Sequence, residues 1–159
     1  MIEIINGTDY SFYPSTNQGV IRRLVNHPDI KPYLFLNPPD DFHTYDLKKI
    51  SDPNLTIYIV RVENDLAGLG IFIKRGEHAT VDNAFFPKYR GRHAKTLANL
   101  VILDYINRTS VRALKGKIRK SNQRSLVFAA WNNFKVISSD DTYYYVEREC
   151  NGRCSREFS

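Results

Sequence analysis

The most constraining feature of this chain is a change of period in its middle. Up to Phe86 the apolar residues fall as they do in strands. From Gly91 onward Ala94, Leu97, Ala98, Val101, Ile102, Tyr105 and Ile106 recur at helical spacing, one stripe of an amphipathic helix of about four turns. Between the two regimes lie Pro87 and a short basic turn, Lys88-Tyr89-Arg90-Gly91-Arg92. Proline has no N–H to give to a ladder, so it stops the strand. The chain must therefore leave a sheet and start a long helix almost at once.

That junction has chemical consequences. The first N–H groups of a helix have no internal acceptor, and the macrodipole places about half a positive charge beside them. A phosphate is the natural occupant. Arg90, Arg92 and Lys95 would add whole charges, and Gly91 would let the backbone approach closely. His93 reads as a helix-start residue near the phosphate. The geometry expected is a pyrophosphate cradle in a strand–turn–helix frame.

Charge supports an anionic ligand. The segment from Lys88 to Arg124 holds eleven basic residues and one acid, Asp104, a net +10 in a chain whose total is +6, so the remainder carries −4. Such a local field suits a polyphosphate small molecule or a nucleic acid. The chain's 159 residues amount to one domain's worth, with 42% hydrophobic and 25% charged residues, which excludes disordered, collagen-like and coiled-coil classes. No apolar run reaches the ~18–20 residues of a membrane span, and Met1 to Gly7 lacks a basic leader; a cytoplasmic location and no membrane partner are the expectation. Cys150 and Cys154 stand in a polar tail without a second pair, so no metal site is expected.

The remaining elements follow from local pattern. Strands are expected at 2–5, 55–62, 66–74, 78–86, 111–120, 135–138 and 142–148, with helices at 17–27 and from 122 to Trp131. Prolines 28, 32, 38 and 39 mark a loop. Gly68 and Gly70 suggest a bulge or a close backbone approach, Asn133 a left-handed C-cap. Trp131 and Phe134 read as core. This order predicts an α/β fold, a mixed sheet with helices on both faces, in one domain over 1–149 and a flexible tail over 150–159.

Pro87-Lys88-Tyr89-Arg90-Gly91, followed by Asn122, Ser125, Phe128 and Phe134, resembles the GNAT superfamily of acetyl-CoA-dependent N-acetyltransferases. Four positions depart from the family pattern. His93 and Lys95 replace small residues of the loop, Asn133 replaces a glycine, and Ala129 stands at the usual tyrosine. The resemblance implies a mostly antiparallel GNAT-like sheet and direct acetyl transfer from acetyl-CoA to an amine. It implies that Phe85 and Phe86 offer main-chain groups to the pantetheine arm and the thioester carbonyl. The amides of Gly91, Arg92, His93, Ala94 and Lys95 would hold the pyrophosphate, and Asn122 and Ser125 the far side of the cofactor. The arm would enter between the strand ending at Phe86 and the 111–120 strand.

The reaction needs a base for the amine and donors for an oxyanion. Asp82 is the first base expected, with His78 and Glu77 as alternatives. With Ala at 129, Tyr143, Tyr144 or Tyr145 would have to supply the acid. Two further readings remain open: a GNAT-fold protein that binds CoA or a partner without chemistry, and a nucleic-acid-binding module using the 88–124 block. The acceptor amine and the oligomeric state, a dimer among the options, are left open by the sequence.

Overall fold

A computed structural model describes residues 1–34 and 52–150. The proline pair at 38–39 and the tail from 151, with Cys154, lie outside the described residues.

Eight strands form one sheet: β1 Ile2–Ile5, β2 Thr8–Pro14, β3 Leu55–Val62, β4 Asp65–Arg75, β5 His78–Phe85, β6 Ala113–Arg119, β7 Lys135–Ser139 and β8 Tyr143–Glu149, in the spatial order β1-β2-β3-β4-β5-β6-β8-β7. Among the described residues three helices accompany them: α1 Gln18–Val25, α2 Arg92–Thr109 and α3 Gln123–Trp131. Every neighbouring pair is antiparallel except β5 with β6. The mixed sheet expected from the element order, mostly antiparallel as the resemblance implies, is what forms.

Strand β2 is the addition to that order. Asn6 and Gly7 both take positive φ, 50° and 79°, between paired Ile5 and Thr8, which is the two-residue hairpin turn that matches strand twist. Tyr10 and Phe12 alternate inward from β2, 3% and 2% exposed. Glu63 and Asn64 form the equivalent turn between β3 and β4. Within β4 the register slips opposite Val60 and Arg61, which leaves Ala67 as an extra residue. Next to it, a Cβ on Gly68 would lie 2.2 Å from the Ala84 carbonyl oxygen, so only glycine allows this approach.

The helices cover opposite faces. Ile21, Leu24 and Val25 of α1, with Ile30, pack on Ile57, Ile59, Leu69, Ile71 and Ala84. On the other face Leu97, Ala98, Val101, Ile102 and Tyr105 of α2 pack on Phe12, Tyr58, Phe72 and Phe85. All seven stripe residues of α2 are buried. Asp104 is buried beside them because the Tyr58 hydroxyl and Arg108 Nε both donate to its Oδ2, at 2.5 and 2.6 Å. Burial first, and then the Asp104 carboxylate, hold the Tyr58 phenol well above its ordinary range.

Two expectations at the C-terminal end change. Trp131 is 51% exposed, because the α3 stripe that meets the sheet ends at Phe128 and Asn132; Phe134 is buried. Cys150 is fully buried, its N–H bonded to the Arg112 carbonyl at 2.6 Å. Residue 150 therefore packs with the domain rather than in the tail expected to begin there.

Candidate active site

The parallel pair β5 and β6 is joined only over His78–Thr80 and Ala113–Lys115. Beyond Thr80 the two strands part. β6 stays paired with β8 along its length, so the separation is a gap within the sheet. A cleft of about 110 Å³ occupies it, with Val81, Asp82 and Asn83 on one side and Gly116, Lys117 and Ile118 on the other. On the face that carries α2, α3 spans the gap with Asn122, Ser125, Phe128 and Ala129 along the cleft. Phe128 reaches Phe85, ring centroids 6.2 Å apart.

The end of β5 feeds α2 directly. Pro87–Tyr89 make a 3-10 turn, and the Tyr89 hydroxyl donates to Asp65 Oδ2 at 3.1 Å. Gly91 follows at φ 91°, ψ −124° and caps α2 with no side-chain hydrogen bond. The first helical bond runs from Lys95 N–H to the Gly91 carbonyl at 2.9 Å. The amides of Arg92, His93 and Ala94 precede it and have no acceptor inside the helix. Arg92 and Lys95 are exposed, and Lys95 Nζ lies 4.8 Å from the centre of the Trp131 ring. A helix start without a side-chain cap therefore stands at the open end of the gap, with Lys95's own amide already in use.

Several expected residues sit elsewhere. The Arg90 side chain turns away from the helix start: Nε donates to the Phe85 carbonyl and a terminal nitrogen to the Asp29 carbonyl, both at 3.0 Å, with the guanidinium 4.4 Å from the Tyr33 ring centre. It latches the 29–33 segment to the end of β5. His93 points to β2, with Nδ1 2.8 Å from the Tyr10 hydroxyl. The Phe86 N–H, expected near the oxyanion, already donates to the Ala67 carbonyl at 2.8 Å. Asn122 Oδ1 accepts from Ser125 N–H at 3.1 Å, so this side chain caps α3.

The catalytic candidates separate clearly. Asp82 is half-buried and lines the cleft. His78 is exposed at the closed end of β5, seven residues from Phe85, roughly 23 Å along an extended strand. Glu77 beside it faces Arg112 at 3.5 Å. Tyr145 is outside the lining; its hydroxyl donates to Asp140 Oδ2 at 2.6 Å, and that bond raises the phenol and lowers the carboxyl. Tyr143 and Tyr144 are also outside the lining, under Lys117 and Lys120 at 4.7 and 5.4 Å.

Tyr33 and Asn132 are among the cleft residues that went unread in the sequence. Tyr33, delivered by the 3-10 turn Lys31–Tyr33, is a phenol on the lining; the prolines around it announced a turn but not its destination. Asn132, 2% exposed, closes α3 and also lines the cleft.

The basic block is dispersed in three dimensions. Lys88, Arg108 and Arg112 have carboxylate partners in Asp65, Asp104 and Glu77. Among the described residues no helix is long and apolar enough to cross a membrane.

No family model and no curated protein sequence matches the chain. Solved structures do. The N-acetyltransferase PseH of Campylobacter jejuni superposes with a TM-score of 0.68 at 20% identity, over 88% of this chain and 97% of that one. The same protein in complex with acetyl coenzyme A gives 0.68 at 19%, over 88% and 98%. Spermidine N-acetyltransferase from Vibrio cholerae, in complex with CoA and spermine, gives 0.70 at 18%, over 88% and 95%. With the parted parallel strands and the open helix start already described, these likenesses establish the fold: it is that of the GNAT superfamily N-acetyltransferases.

Proposed function

We propose that the protein is an N-acetyltransferase that moves an acetyl group from acetyl-CoA to a primary amine. The observation that carries this is the alignment of an uncapped helix start, Gly91 to Ala94, with the open end of the β5–β6 gap. One binds a pyrophosphate, the other a narrow chain leading from it. The fold likeness to structures holding acetyl coenzyme A, or CoA with spermine, supports it.

In this reading the amides of Arg92, His93 and Ala94 and the charges of Arg92 and Lys95 hold the diphosphate. Main-chain groups near Phe85 and the α3 residues Ser125 and Phe128 hold the arm. Asp82 takes the proton of the attacking amine, directly or through a water. The amine nitrogen bonds to the thioester carbon, the carbon–sulfur bond breaks, and the sulfur leaves as a thiolate. A thiol of pKa near ~8.5 ionises readily, so an acid assists this step without being essential to it. Tyr33 is the phenol placed to assist, with Arg90 as its positioning residue.

The test is a thiol-release assay with acetyl-CoA across polyamines, amino sugars, lysine peptides and amino-nucleotides. Turnover above hydrolysis with one acceptor class is expected. Asp82→Asn should remove the acidic limb of the rate profile, and Tyr33→Phe should slow turnover by about 10²-fold or less with CoA affinity retained. Tight CoA binding without turnover on any amine would leave a binding protein; no CoA binding would remove both.

A further inference from the structure

We infer that Asn132 is a binding residue for the acyl donor, its Oδ1 accepting a hydrogen bond from an amide N–H of the pantetheine arm; this rests on the acetyltransferase reading above. Asn132 is 2% exposed and lines the cleft. Its Nδ2 donates to the Phe128 carbonyl at 3.1 Å, which fixes the orientation of the side-chain amide, since the reverse would set two oxygens against each other. Its main-chain carbonyl accepts from Arg148 at 3.1 Å. Its Oδ1 is buried with no hydrogen-bond partner among the described residues.

A buried acceptor left empty is costly, and an apolar residue of the same size would avoid the cost. Much of the surrounding wall is apolar: Ile118, Phe128, Ala129, Phe134 and Val146. Asn122 also faces the cleft, but its Oδ1 is taken by Ser125 N–H. Asn132 is thus a polar group in an apolar stretch with one unmet requirement, a donor. A pantetheine arm supplies that chemistry as secondary amide N–H groups. Asn132 follows Ala129 by three residues, and both line the cleft.

The experiment is titration calorimetry of CoA, acetyl-CoA and adenosine 3′,5′-bisphosphate, which lacks the arm, into wild type and Asn132→Leu. CoA and acetyl-CoA should each bind the variant about tenfold more weakly, and the bisphosphate equally well. On the wild type alone, two CoA analogues carrying an ester for one or the other amide are compared; one of them should lose about the same factor, and lose nothing further on the variant. Unchanged CoA binding by Asn132→Leu overturns the assignment, as does equal weakening of CoA and the bisphosphate. Weakening confined to CoA puts a thiol on Oδ1 and also overturns it. Should the variant fail to fold, the analogues on wild type decide: two undiminished affinities sink the idea. A wild type that binds no CoA removes the acetyltransferase reading and this residue's role with it, whereas CoA binding matched by the variant removes only the role.

Discussion

The two helices that border the cleft begin in opposite ways. At α3, Asn122 accepts the Ser125 N–H and closes the helix start with its own side chain. At α2, Gly91 has no side chain to give, and φ 91°, ψ −124° is a backbone state that essentially only glycine enters. One start is satisfied from within; the other presents amides and two exposed cations to solvent. Both lie in the basic block, and Arg124 in the first turn of α3 is as exposed as Arg92. The difference is local stereochemistry, and under the proposed reading positive charge alone does not define an anion site. A site also needs donors that nothing in the protein has claimed.

The largest effect expected from this contrast is on CoA affinity. Removing Arg92 and Lys95 together should weaken binding about a hundredfold or more, from charge-assisted hydrogen bonds worth ~1.5–3 kcal/mol each, and should flatten the salt dependence. Arg124→Ala should change affinity by less than about twofold, as an exposed charge away from the ligand does. Equal losses at the two helices, measured by calorimetry, would erase the distinction. Next in size is Gly91→Ala. A Cβ there meets nothing within 4 Å, so the cost is conformational, about 1–3 kcal/mol. Either stability falls by that amount or the turn relaxes and the amides lose their aim. Unchanged melting together with unchanged CoA affinity would show that the turn does not need glycine.

Much of this frame was visible in the residues. The α2 stripe is a long periodic signal and each of its members is buried. The β3–β5 meander, the close approach at Gly68 and the strand–proline–turn–helix junction are local patterns and were equally legible. The strand β2 left a signal too, Asn6-Gly7 before an alternating Tyr10 and Phe12, in a segment otherwise too short to stand out. What could not be read is direction. His78 and Asp82 lie on one strand, and the sequence does not say which end of it opens. Arg90 and Arg92 flank one glycine, yet Arg90 folds back onto the carbonyls of residues 29 and 85. That choice depends on a segment sixty residues earlier in the chain. Tyr33 and Asn132 reach the cleft for the same kind of reason, through packing that no window of neighbouring residues contains.

A smaller effect tests the closed helix start. Asn122→Ala removes the cap of α3 and should cost about 1 kcal/mol, a fall of roughly 2–4 °C in melting temperature for a chain of this size. Affinity for CoA should move less than about threefold, since the oxygen removed is already occupied by Ser125 N–H and contributes to the helix. A large loss of affinity with unchanged melting would mean that Asn122 serves the ligand instead, and the two helix starts would be functionally alike.

The smallest effect concerns the other positive-φ position beside the cleft. Asn133 has φ 66° just past α3, where its N–H bonds the Ala130 carbonyl at 3.1 Å and the Phe134 N–H bonds the Ala129 carbonyl at 3.0 Å. These two bonds are the Schellman closure of a helix. Asparagine tolerates this region better than other non-glycine residues, but glycine enters it without strain. Relief of that strain favours the variant, while the greater freedom of glycine in the unfolded chain opposes it. The balance expected for Asn133→Gly is a gain of at most about 0.5 kcal/mol, read as a slight rise in denaturation midpoint with unchanged slope. The contrast with Gly91 is the point: both positions have positive φ, but Asn133 sits in the left-handed helical basin at which asparagine is admitted, whereas Gly91, at ψ −124°, does not. Exchange in the reverse direction, Gly91→Asn, should therefore be as damaging as Gly91→Ala. A harmless Gly91→Asn would place both residues in the same class and remove the stereochemical reason for the open helix start.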